Sequence, residues 1–383
     1  MEANTGFPKS NLQTSLFVSL SKDNNSSETQ WSRILGYPKT GVTLGITDFG
    51  NTKEIGKAYS ILPFIEFDLF KKKSNKWHLL TGLGGSYIDT QYHITNNPNN
   101  HAISTKLNWA FKSFIYYDAF SKKQTNWRVG LGYLHNSNGH SRLPNQGLNS
   151  FLLSLSSQFN LRKESTIQKP TKEEIKFNRT TQNYVSFRSG IGVNVLSQVF
   201  NDKKEVYSVA ISTGKIINNT FKFGGGVYYR FYEKYYDYIK NDGELMLEQE
   251  PHYKDNPFLY ASNFGVFGTA ELLLNHVGIE FDLGFNIFKP SYRFDWQLSQ
   301  GYVYTSMATG EPQPAVVLEE LNTYYEIKRS ISSRLGIKYY ILNTSKAPKH
   351  NFFIGAHINA NLGQADFSEL SLGYVYQFSR KKH

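Results

Sequence analysis

The sequence predicts an all-β fold, an antiparallel β-barrel of the outer-membrane kind, and three observations predict it. Segments alternating between apolar and polar residues recur about every 10 to 20 residues, with almost no helical period between them. Aromatic residues make up 15 % of the 383 residues, with 26 Tyr and 28 Phe against 3 Met, a bias that suits sheets with aromatic girdles. The apolar runs stay far short of the roughly 20 residues a membrane helix needs, so only strands could span a bilayer here.

The first half reads as eight strands, at about 11 to 22, 27 to 35, 41 to 49, 57 to 71, 76 to 90, 102 to 120, 125 to 138 and 147 to 161. The connections YPKT, KKKSN and SKKQ fall on one side. The DNNSS turn, the NTKEI segment and the loops 91 to 101 and 139 to 146 fall on the other. Short turns opposite longer loops are the habit of outer-membrane barrels. Pro63 interrupts one strand and predicts a bulge there.

Residues 162 to 182 are polar, mixed in charge and without alternation, which predicts a linker. Eight further strands follow, at about 183 to 196, 203 to 213, 217 to 236, 257 to 274, 276 to 288, 322 to 342, 349 to 362 and 365 to 378. The domain reading is therefore 1–161, a linker at 162–182, and 183–383: two consecutive eight-stranded barrels. One 16-stranded barrel is the alternative architecture.

Face chemistry favours a barrel over a soluble sandwich. On 277 to 287 the odd positions are Val277, Ile279, Phe281, Leu283, Phe285 and Ile287, while Glu280, Asp282 and Asn286 share the even face with two glycines. A sandwich would bury the apolar face and expose the charges. In a barrel the charges point inward and must pair, because an unpaired buried charge costs several kcal/mol. Arg188 with Glu280 or Asp282, and Arg128 with Glu66 or Asp68, are the expected pairs.

The net charge of +11 invites anionic partners. The Lys and Arg are scattered through turns with no recognition helix, so nucleic acid is not expected and lipid headgroups are. The absence of cysteine removes disulfides and thiolate chemistry. No spacing suggests a metal site or a cofactor loop. The N-terminus lacks a basic and apolar leader, and an outer-membrane location implies a signal peptide already removed.

Chemistry concentrates in the hairpin from Trp127 to Phe159. His135 and Ser137 lie two apart on one strand face, about 7 Å at Cα, where an imidazole can reach a hydroxyl as base to nucleophile. Asn149 on the neighbouring strand could orient His135, and Asn145 and Asn138 near the turn could hold an oxyanion. An H-x-S pair alone on a strand is common by chance, so its surroundings decide. His140 and Arg142 read as solvated loop residues with a possible role on lipid phosphates.

The block His135-Asn136-Ser137-Asn138, followed by Pro144-Asn145-Gln146-Gly147 and a polar residue two positions on, resembles the PagL-type lipid A 3-O-deacylases and their acyloxyacyl hydrolase relatives. The resemblance covers about 1–161, with NNHAISTKLN (99–108) as a second block. It implies an outer-membrane serine esterase that removes an ester-linked acyl chain from lipid A or a related glycolipid, without a cofactor. It further implies His135 as base, Ser137 as nucleophile and Asn145 as oxyanion donor. Asn149 stands where the best-known members carry Glu, and can orient an imidazole without stabilising imidazolium by charge. The other expectation is an inactive surface or assembly protein that binds a protein partner through the long loops 237–256 and 289–321 of the second barrel.

Overall fold

The computed structural model describes residues 7–24, 29–70, 76–122, 125–159 and 180–378. The expected turns at 71–75 and 123–124 and all but the end of the 162–182 linker lie outside the described residues. The chain forms two compact units. One comprises residues 1–93, 97–138 and 146–179, the other 94–96, 139–145 and 180–383.

In the first unit, β1 (Thr14–Asp23), β2 (Lys39–Asp48), β3 (Lys57–Leu69), β4 (Trp77–Ile88), β5 (Leu107–Lys122), β6 (Thr125–Ser137) and β7 (Leu148–Phe159) pair antiparallel in chain order. They make one seven-stranded sheet, where the sequence predicted a closed barrel of eight. The expected strand at 27–35 contains a short helix, α1 (Gln30–Ile34). It buries Trp31 and Ser32, and the Ser32 hydroxyl donates to the Asn24 carbonyl at 3.1 Å. Five residues are too few for period to separate helix from strand. Among the described residues β1 and β7 share no ladder. Side chains reach across instead: the Ser150 hydroxyl of β7 donates to Gln13 Oε1, just before β1, at 2.6 Å, and Lys39 Nζ of β2 donates to Gln158 Oε1 of β7 at 3.2 Å.

The strand directions gather residues 49–56, 89–93, 97–106, 138 and 146–147 at one end of this sheet. Phe49, Ile55, Ile88, Ala102, Ile103 and Leu148 form a small apolar core there. No bulge appears at Pro63. Its β4-facing ladder is interrupted, but the register is the same on both sides, Ile61 opposite Gly85 and Phe64 opposite Gly82.

The sheet is polar inside and apolar outside. Glu66, Lys112 and Arg128 are buried, with Arg128 Nη1 3.0 Å from Glu66 and Nε 3.3 Å from Asp118. Asp68 accepts from His78 Nδ1 at 3.0 Å instead of pairing with Arg128. Leu16, Leu44, Ile61, Leu131, Phe151 and Leu153 are exposed on the other face.

The second unit is a closed eight-stranded barrel. Its strands are β8 (Thr181–Asn194), β9 (Lys204–Ile217), β10 (Phe221–Tyr232), β11 (Ser262–Leu274), β12 (Val277–Phe288), β15 (Ile331–Tyr340), β16 (His350–Asn361) and β17 (Gln364–Phe378). β17 pairs with β8 to close the ring, which rules out one 16-stranded barrel. The inward charges pair as expected: Arg188 lies 2.7 Å from Asp282 and 3.7 Å from Glu280. Arg334 contacts Glu280 and Glu369, and Glu271 takes both Lys222 and Lys338.

The long loops of this barrel are folded. α2 (Glu233–Lys240), α3 (Glu244–Gln249) and α4 (Pro257–Tyr260) occupy one; α5 (Tyr292–Ser299), the hairpin β13 (Tyr302–Ser306) with β14 (Gln313–Val317), and α6 (Thr323–Ser330) occupy the other. Three expected strands are therefore shorter than read, because 233–236, 257–260 and 323–330 are helical. The helices bury Tyr235, Tyr238, Leu245, Met246, Tyr253, Phe294 and Leu298 in one cluster. No helix among the described residues is long and apolar enough to cross a membrane, which leaves membrane crossing by strands open.

Candidate active site on the β6–β7 hairpin

The hairpin register places His135 directly opposite Asn149. Parity along β6 puts Tyr133, His135 and Ser137 on the outward face, while Leu134 and Asn136 point inward and are buried. His135 Nε2 lies 3.1 Å from Ser137 Oγ, and His135 Nδ1 lies 2.7 Å from Asn149 Oδ1. A carbonyl oxygen only accepts, so Nδ1 carries the proton and donates to Asn149. Nε2 is then the lone-pair nitrogen, and the Ser137 hydroxyl donates to it. This is the tautomer a general base needs.

Asn149 is itself held. The Tyr133 hydroxyl donates to the same Oδ1 at 2.5 Å, and the Tyr133 ring stacks on the His135 ring at 6.4 Å with 9° between planes. Tyr133 is a residue that sequence reasoning missed. The sequence signal for its role was its position two residues before His135 on the same face.

The second sequence block comes to the same place. The amides of Gln146 and Gly147 donate to the carbonyls of His101 and Ala102 at 3.1 and 3.0 Å. Asn138 is buried, and its Nδ2 donates to Ser104 Oγ at 3.1 Å. Gly147 has φ +74, and a Cβ there would meet His135 Cε1 at 3.0 Å and the Asn136 carbonyl at 3.1 Å. A glycine is thus required by both backbone and space. Ser137 is 7 % exposed, and down the same outward face lie Leu131, Phe151 and Leu153 at 60 %, 82 % and 88 %. The nucleophile candidate is sheltered at the end of an open apolar strip.

Residues 19–158 match the family model for lipid A 3-O-deacylase (PagL). The seven-stranded sheet is of PagL type. The match begins within β1 and ends one residue short of the end of β7, and it includes His135, Ser137, Asn138, Asn145 and Asn149. It leaves the closed barrel outside the PagL region. No curated protein matches this chain. Among solved structures, the FrpB iron transporter of Neisseria meningitidis (F3-3 variant) is similar at 8 % identity and a TM-score of 0.21, over 96 % of this chain and 63 % of that one. P. aeruginosa FpvA bound to heterologous pyoverdines gives 9 % and 0.18, over 96 % and 56 %. The chain spans less than two thirds of either, and superpositions this poor carry no argument about the barrel.

Asn145 is half-buried and lies in Gly139–Asn145, the segment that belongs to the second compact unit. His140, expected in solvent, is buried in that unit. Burial pushes its imidazole below the usual histidine range, and nearby Lys234 adds to the effect against opposing Asp295 and Asp366. Arg142 is exposed, as a solvated loop residue should be.

Proposed function

We propose that this protein is an outer-membrane serine esterase that removes an ester-linked acyl chain from lipid A or a related glycolipid. The observation that carries the reading is the continuous relay from Asn149 through His135 to Ser137, at 2.7 and 3.1 Å, within a region of PagL type.

The exposed apolar strip of Leu131, Phe151 and Leu153 suits an acyl chain lying in the bilayer alongside the wall, with its ester near Ser137. The Ser137 oxygen attacks the ester carbonyl as His135 Nε2 takes its proton. Collapse of the tetrahedral intermediate passes that proton to the departing sugar alcohol, leaving an acyl-serine. Water, deprotonated by the same nitrogen, then releases the fatty acid and restores Ser137. Asn145 and Asn138, near the turn that follows Ser137, are the proposed oxyanion donors. Asn149 orients the ring but adds no negative charge against the imidazolium, so a slow enzyme is expected.

That same asparagine supports a second reading, an inactive surface or assembly protein. A fluorophosphonate probe separates the two. Labelling of the wild type at Ser137, lost in His135→Ala, supports the esterase. An unlabelled Ser137 in folded protein supports the inactive reading.

A further inference from the structure

Outside the PagL-type sheet, the second unit carries two adjoining cavities that the proposed hydrolysis does not use. One, of about 320 Å³, is lined by Tyr229, Asn256, Phe258, Leu259, Ser262, Phe264 and Phe288 and is almost wholly apolar. It lies where α4 meets β11 and β12, at the point where their register shifts between Phe264 and Gly265. Such a shift bends the strand and re-aims side chains, which here opens a groove in the wall. The other, of about 310 Å³, is polar, and Arg293, Arg329 and Glu250 line it beside Tyr253 and Tyr325. Phe288 lines both cavities.

The charge in the polar cavity is net positive. Arg293 contacts Glu250, and Arg329, half-exposed, lies 3.0 Å from the exposed Glu326. That surface pair is weak and yields readily to a stronger anion. Lys289 is turned away, to Asn361 and Asp366 at 2.8 and 3.0 Å. Two guanidinium groups beside an apolar groove match a phosphate joined to an acyl chain. The groove is also continuous with the exposed belt of Phe264, Phe285 and Ile287, the surface that lipid covers in the outer-membrane reading. Both cavities lie at the long-loop end of the barrel, which by the usual habit of these barrels faces the outer leaflet.

We infer that the second unit binds a phosphorylated, acylated glycolipid of the lipid A class, with one acyl chain in the Phe258–Phe264 groove and a phosphate between Arg293 and Arg329. The inference rests on the membrane placement proposed above, but it needs no catalysis. It makes the second unit a lipid-holding element and the first a lipid-cutting one.

The test uses the full chain as Ser137→Ala in detergent, so that turnover cannot remove the lipid, with retained lipid counted by native mass spectrometry. The probes are bis-phosphorylated lipid A, the same lipid with its phosphates removed, and phosphatidylglycerol. The expected result is preferential retention of the bis-phosphorylated lipid. Arg329→Gln should reduce it about five-fold and leave the dephosphorylated lipid unchanged. Leu259→Trp, which fills the groove, should reduce both. Equal retention of phosphatidylglycerol would overturn the inference, as would indifference to both substitutions. Loss of this binding would leave Ser137 labelling by the fluorophosphonate probe untouched, so the two readings fail separately.

Discussion

Asn149 Oδ1 receives two donors at once, His135 Nδ1–H at 2.7 Å and the Tyr133 hydroxyl at 2.5 Å. The tyrosine keeps the amide oxygen turned toward the imidazole, so a neutral residue does the orienting work of an acid and omits only its charge. Asn149→Asp should therefore raise kcat/KM, by roughly ten-fold or more, since the carboxylate adds stabilisation of the imidazolium. Tyr133→Phe should lower kcat several-fold with little change in KM, as expected when an orienting contact is lost. Steady-state kinetics on a detergent-dispersed ester check both.

Gly147 should tolerate no side chain. At φ +74, alanine costs about 1 kcal/mol in backbone strain, and its Cβ would press on His135 Cε1. Gly147→Ala should therefore lower acyl release by at least about ten-fold while the protein stays folded on an unheated gel.

In the closed barrel, Glu280 is contacted by Arg334, Lys338 and His357. Glu280→Leu removes the acceptor and leaves buried cations without it, at a cost of about 3–5 kcal/mol. The check is the denaturant midpoint of the second unit, which should fall; a larger truncation on the outer wall, Leu283→Ala, should move it much less.

His140 should make stability depend on pH. Its folded pKa is lowered by burial, so below the unfolded value of 6.5 the unfolded chain binds the proton more readily. Stability should fall as pH drops from about 6.5 toward the folded pKa and level off below it. His140→Asn should flatten that part of the profile, read from denaturation midpoints between pH 5 and 7.

Alternation made the barrel legible wherever one face is apolar and exposed and the other a packed polar interior, as on β12, where Phe281, Leu283 and Phe285 are exposed and Glu280 and Asp282 buried. It failed where chains rich in tyrosine turn helical. In α2, EKYYDYIK follows the aromatic strand β10 without a break, and its tyrosines read as strand formers. Yet Tyr235, Tyr238 and Ile239 share one buried helical face at i, i+3 and i+4, a signal already present in the sequence. The site was readable because His135 and Ser137 lie on one strand, where parity alone aligns them. Their relation to Asn149 needed the register across a ten-residue connection, which parity does not supply. Tyr133 escaped because its partner lies across that same connection.

Whether Ser137, activated by His135, cuts an acyl ester of lipid A is decided by mass spectrometry of lipid A from outer membranes containing the wild-type protein or Ser137→Ala. The expected result is a species lighter by one acyl chain with the wild type, absent with Ser137→Ala although that variant is folded and inserted. The same lighter species at undiminished abundance with Ser137→Ala would contradict it.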